Sequence, residues 1–212
     1  MAQPQPARRS DEEQGVGSPL RSVSGVGWGE LRDATGAAAD GIPALLSRIA
    51  YGDETTARIA IDDLGDAICA LGFVVGEATV PTVPFLLELV GSPHTACKAE
   101  LLDLLGSICR TDQWHAAAAT TQDRRYDASY QRQLGWEAAS RAAVHAGRSA
   151  IEDVASSVRP EEATPARKLL QVMDDTPPSR SYELPLRGGA GKGADNSKTH
   201  ALWDLPSQGA HT

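Results

Sequence analysis

Aromatic side chains make up only 5% of the 212 residues, while Ala, Leu, Ile and Val crowd the middle of the chain. Sheet sandwiches favour aromatic and β-branched residues, so the shortage points to helices packed through small side chains. No run of 18 apolar residues occurs, so no membrane span is expected. Basic charge is also scarce, and the formal net charge is −8. A duplex-binding protein needs clustered Lys and Arg to displace counterions, which sets the balance against nucleic acid. Cysteine is limited to Cys69, Cys97 and Cys109, with no CxxC pair, each inside an apolar helical pattern. Free buried thiols in a reducing cytoplasm are the plain reading. Arg8-Arg9 is followed by "SDEEQGVGSP" where a twin-arginine signal would need an apolar segment, so no export signal is expected.

The chemistry of a catalytic or metal site is thin as well. The five histidines stand at 94, 115, 145, 200 and 211, and no HExxH, GxSxG or His/Cys/Asp cluster has ligand spacing. "RGGAGKGADNSK" (187–198) is Gly-rich but lacks the phosphate-loop pattern, since Ala194 follows Gly193 and no strand precedes it. No catalytic, cofactor-binding or metal residue is assigned, and the chain is expected not to be an enzyme.

Residues 1–25 and 175–212 are rich in Pro, Gly, Ser, Gln and charge and have few apolar residues. Such segments cannot offset the entropy of ordering, so both are expected to be disordered arms. That leaves 26–174 for one all-α domain.

Within it, "EATVPTVPFLLELVGSP" (77–93) sets two prolines before an apolar run. Val83, Leu86, Leu87 and Val90 fall at i, i+3, i+4 and i+7, one face of a helix. Thr79 or Thr82 would cap it, with Pro84 bending the first turns. Ser92-Pro93 then reads as cap and first residue of a second helix, whose stripe is Leu101, Leu102, Leu105, Ile108 and Cys109. Residues 41–68 overlie 82–109 without a gap: Pro43 falls on Pro84, Leu46 on Leu87, Asp62 on Asp103 and Gly65 on Gly106. That is an internal repeat of helix, turn and helix. A looser third copy has Ile151, Val154, Ala155 and Val158 on one face and Thr164-Pro165 opening its second helix. Repeat copies are thus set at 41–70, 80–110 and 147–174, with a loop at 111–129. An additional helix spans 130–147 and ends at Gly147. A short capping helix is expected between Trp28 and Asp40, with Asp40 as N-cap of the next one.

Helical pairs of about 41 residues with an early proline, carried by "IPALL", "VPFLLEL" and "LDLLGSI", resemble HEAT repeats over roughly 27–174. More narrowly, Trp28, Ala34-x-Gly36 and Glu77-Ala78-Thr79 through Leu89 are similar to a group of bacterial HEAT-repeat domain proteins of uncharacterised function. Asp33, Thr35 and Ala70-Leu71-Gly72 depart from that group, where His and Tyr flank the early Ala and His-Gln-Gly precedes the second pair. The resemblance implies an armadillo-like α-solenoid of about three helix pairs whose second helices line a concave face, used to bind a partner.

Asp62 and Asp66 lie beside the buried stripe Ala57, Ile61, Leu64, Ile68, and Asp103 is the repeat equivalent of Asp62. In register, the three form an acidic stripe that would grip a basic or helical segment of another protein. The plainer reading is a solvated helix face on which Arg58 and Asp62 pair at i, i+4. Arg124, Arg125 and Arg132 interleave with Tyr126, Tyr130 and Trp136, which could stack bases. Residues 41–110, however, carry nine acidic against four basic side chains. A loop running into a helix that buries Trp136 is preferred. Trp203, alone in "HALWDLPSQ", could be a docking anchor. The expectation is a non-enzymatic interaction module (scaffold, adaptor or inhibitor) in the bacterial cytoplasm. The alternative is a nucleic-acid-associated helical-repeat protein.

Overall fold

The computed structural model describes residues 19–112, 114 and 128–178. Apolar residues at helical spacing build seven helices among them: α1 Ile42–Tyr51, α2 Glu54–Ile68, α3 Thr79–Gly91, α4 Lys98–Cys109, α5 Ala128–Ala146, α6 Arg148–Ala155 and α7 Pro160–Asp175. Their inward stripes merge into one core in which Leu46, Leu64, Leu86, Leu105 and Ile151 are fully buried. Helix α1 packs on α2, α3 on α4, and α6 on α7. Between pairs, α1 touches α3 and α2 touches α4, while α6 lies against α3 and α7 against α4. Helix α5 packs on both α3 and α4. It runs into α6 through Gly147 alone, and a Cβ there would meet Leu87 Cδ1 at 2.3 Å.

The all-α expectation has one exception. Cys69–Ala70 (β1) and Val74–Val75 (β2) pair antiparallel, with Cys69 opposite Val75 and Ala70 opposite Val74. Leu71 (φ 56°) and Gly72 (φ 78°) make the turn, and Phe73 N–H donates to the Ala70 carbonyl. "CALGFVV" holds three residues favoured in strands directly after a glycine, and the helical period ends at Ile68.

Several helix starts differ from expectation. Helix α3 begins at Thr79, but neither threonine caps it: Thr79 Oγ1 donates to the Ile68 carbonyl and Thr82 Oγ1 to that of Ala78. Pro84 lies inside the helix. Ser92-Pro93 does not open α4, which starts at Lys98 after Cys97 in the left-handed region (φ 57°). The chain needs those residues to reverse direction between α3 and α4, and proline suits a turn as well as a first helical residue. Thr164-Pro165 likewise sits inside α7, because Pro160 has already taken the opening position. Glu161 and Glu162 then fill the first turn, where the helix dipole favours them. Helix α6 ends at Ala155, so Val158 is not on its apolar face and is 95% exposed. Gly41, not Asp40, is the N-cap of α1. The unforeseen cap is Asp53, whose side chain accepts from Thr56 N–H at the start of α2.

No capping helix fills 28–40. Two 3-10 turns, Val23–Gly25 and Trp28–Glu30, lead into a loop closed by an Arg32–Ala38 bridge. Asp33 Oδ1 organises that loop by accepting from Thr35 N–H, Thr35 Oγ1 and Ala37 N–H. Residues 19–25, placed in an unfolded arm by composition, belong to the fold. Leu20 is buried, and its N–H donates to Glu88 of α3. Tyr51 of α1 donates to the Pro19 carbonyl, and the Trp28 ring lies 6.1 Å from Phe85 of α3. The stretch 19–40 therefore straps α1 to α3. Residues 1–18 and 179–212, with the Gly-rich stretch and Trp203, lie outside the described residues, as do 113 and 115–127 of the expected loop.

Candidate functional site

An open groove of about 530 Å³ lies between α2 and α4. Asp62 and Asp66 enter it from α2, and Glu100 and Asp103 from α4. The α2 stripe Ala57, Ala60, Ile61, Leu64 and Ile68 faces the core, which turns Asp62 and Asp66 outward. Leu101, Leu102, Leu105 and Ile108 do the same for α4. The three carboxylates singled out from the sequence thus share one groove. Ile61 and Leu104 line it between the charges, and Cys69 and Gly72 of the hairpin close one end.

Glycine spacing sets the helix approach. A Cβ at Gly65 of α2 would sit 3.8 Å from Leu104 of α4, and one at Gly106 of α4 would sit 3.8 Å from Leu169 of α7. Each second helix therefore offers a glycine to a leucine of the next. By that register Lys168 occupies on α7 the place of Asp103 on α4. Its Nζ donates to Asp103 Oδ1 at 3.0 Å. Both side chains are more than half exposed, so the pair contributes at most about 1 kcal/mol. The acidic row changes sign at the third helix pair.

Arg58 does not pair with Asp62. It reaches back to Glu54 Oε1 at 2.8 Å and across to Glu100 at 3.3 Å. Side chains on a helix tilt toward its N-terminus, which favours the acid four residues earlier over the one four residues later. None of the ion pairs among the described residues uses Asp62 or Asp66.

A smaller cleft of about 330 Å³ lies at the start of α4. It interleaves Arg58 and Lys98 with Glu54, Glu100, Glu161 and Glu162. Lys98, almost buried, reaches Glu162 of α7 at 3.5 Å, so the two cations each meet a carboxylate and the cleft keeps an acidic excess.

Sequence spacing gave no warning of a polar cluster where α4, α5 and the end of α7 meet. Cys109 Sγ lies 3.2 Å from Thr176 Oγ1 and 3.9 Å from His145 Nε2. A cysteine beside a histidine invites the idea of a nucleophile and its base, but the protons disagree. His145 Nε2 is 2.8 Å from the Thr176 carbonyl. A carbonyl only accepts, so that nitrogen carries its hydrogen and cannot take the thiol proton. Burial also raises the Cys109 pKa, outweighing the Thr176 hydrogen bond and the nearby Arg141 and Arg110. The cluster is structural. Arg141 of α5 completes it by donating to the Cys109 and Thr111 carbonyls, satisfying groups that α4 leaves open at its C-terminus.

The aromatics of 124–136 do not form a stacking platform within the described residues. Tyr130 donates to the Trp114 carbonyl and meets the Trp114 ring edge-on at 5.9 Å, while Trp136 packs against the core. Arg124, Arg125 and Tyr126 lie outside the described residues. Among those described, no group of three His, Cys, Asp or Glu is placed to hold a metal ion, and no helix is long and apolar enough to cross a membrane. Comparison of the chain with protein-family models, curated proteins and solved structures gives no match.

Proposed function

We propose that the chain is a non-enzymatic protein–protein interaction module, a HEAT-like stack of three helix pairs working in the bacterial cytoplasm as a scaffold, adaptor or inhibitor. One observation carries the reading: Asp62 and Asp103, a repeat apart in sequence, converge with Asp66 and Glu100 on a single open groove. Helix α2 packs on α4 and α4 on α7, the succession a stack of second helices requires. A groove of this charge attracts cationic segments and repels a phosphate backbone, which disfavours the nucleic-acid alternative.

The test compares the intact chain with its Asp62→Asn/Asp66→Asn/Asp103→Asn variant as affinity baits in native-cell extract, at low and raised salt. The variant should lose the salt-sensitive partner that the parent retains. An identical set of retained proteins at every salt concentration refutes the reading.

A further inference from the structure

Beyond the carboxylates, the groove ends in something the fold does not need. Leu71 at the hairpin tip is 80% exposed and Phe73 is 45% exposed. Between them Gly72 lines the groove wall, and Asp66 stands only three residues before Cys69. Leu71 also holds a φ of 56°, a left-handed position where glycine and asparagine are at ease and a leucine is not. An apolar side chain in that place stabilises neither turn nor core. Exposed Leu71 and Phe73 thus flank the hairpin residue that lines the groove, next to its row of carboxylates.

We propose that the hairpin tip and the groove form one two-part docking surface for an amphipathic basic segment of another protein. The segment's Lys or Arg side chains lie among Asp62, Asp66 and Glu100, and a large apolar side chain at its end rests on Leu71 and Phe73. The proposal deepens the groove reading above and rests on it. Charge complementarity selects the occupant. A second copy of this chain, at net charge −8, meets the groove with like charge. An anionic lipid surface does the same.

Binding of a labelled 18-residue Leu/Lys helical peptide to the full-length chain, followed by fluorescence anisotropy across a salt series, tests this. Peptides with Gln for Lys and with Ser for Leu serve as controls. The parent chain should bind the Leu/Lys peptide and neither control. Leu71→Asn/Phe73→Ser should weaken binding about tenfold or more, as loss of an apolar anchor does, with the salt slope unchanged. Because asparagine accepts the left-handed turn, Leu71→Asn alone should melt no lower than the parent, which separates lost binding from lost folding. The Asp62→Asn/Asp66→Asn/Asp103→Asn variant should bind weakly and flatten the salt slope. Hairpin variants that bind like the parent overturn the two-part surface while leaving the groove standing. Indifference to the carboxylate variant overturns both. Concentration-dependent dimerisation in sedimentation, or flotation with phosphatidylserine vesicles, abolished by the hairpin changes, assigns the tip to those occupants and overturns the proposal.

Discussion

The junction at Gly147 offers a sharp test of how the third helix pair meets the second. A methyl group added there would lie 2.3 Å from Leu87 Cδ1, 2.5 Å from Cδ2 and 2.9 Å from Cγ. Carbon atoms settle at about 3.5–4.0 Å, so either Leu87 must swing out of its place on α3 or α6 must retreat. Overpacking of this kind costs about 1–3 kcal/mol. The backbone adds nothing to that, since Gly147 has φ −86°, open to any L-residue. Replacing a glycine in such a conformation instead stabilises by about 0.4–1 kcal/mol through the unfolded chain. The net expectation for Gly147→Ala is a loss of about 1–2 kcal/mol. In a Leu87→Ala background the obstacle is gone and only the gain remains, so the same substitution should change sign. Urea unfolding of the four chains of this cycle yields the coupling directly, about 2 kcal/mol. A neutral Gly147→Ala in the parent, or an equal penalty in both backgrounds, refutes the close approach of α6 to α3.

Leu105 is fully buried between helix pairs. Leu105→Asp should cost about 4 kcal/mol or more by placing an unpaired charge there, and circular dichroism should show all helices lost together rather than the last pair alone. Burial pushes the Cys69 thiol up to about 11 and raises those of Cys97 and Cys109. At pH 8 roughly one Cys69 in a thousand is thiolate, so Ellman's reagent should react slowly with buried Cys69 and Cys109 in the native chain and titrate three thiols rapidly in denaturant. A second fast equivalent in the native state, beyond partly exposed Cys97, would contradict the placement. The backbone and side chain of Thr56 hold the Asp53 carboxyl below its ordinary value of 3.8. Its contribution is present above that value and lost as pH falls through the lower folded one. Asp53→Asn keeps a cap but not the charge, so the parent should melt above the variant at pH 7 and lose that advantage progressively as the pH falls below 3.8.

The inward faces were legible because burial is periodic. Ile42, Leu46 and Ile49, and likewise Ala57, Ile61, Leu64 and Ile68, repeat at helical spacing and are all buried. The 41-residue offset brought Asp62 and Asp103 to one groove for the same reason. Helix starts were harder, because a Ser-Pro or Thr-Pro pair serves a turn and a first helical residue equally well. Only the packing of α4 and α7 decides between them. The hairpin escaped because two-residue strands carry too little alternation to register. The cluster of Cys109, His145 and Thr176 joins three distant segments, and nothing local announces it. Arg58 chose Glu54 and Glu100 over Asp62 through side-chain direction and a helix 42 residues away.

The strap has a practical consequence for any shortened form of the protein. Helices α1 and α3 meet each other only lightly, and Leu20, Trp28 and the Asp33 loop bridge most of what separates them. Glu77 accepts from Arg32 N–H, and the Arg32 carbonyl accepts from Ala78 N–H. A chain begun at residue 41, where the repeat itself starts, would uncover Phe85, take the Leu20 amide from Glu88 and free the first pair to swing. Truncation should begin ahead of Pro19.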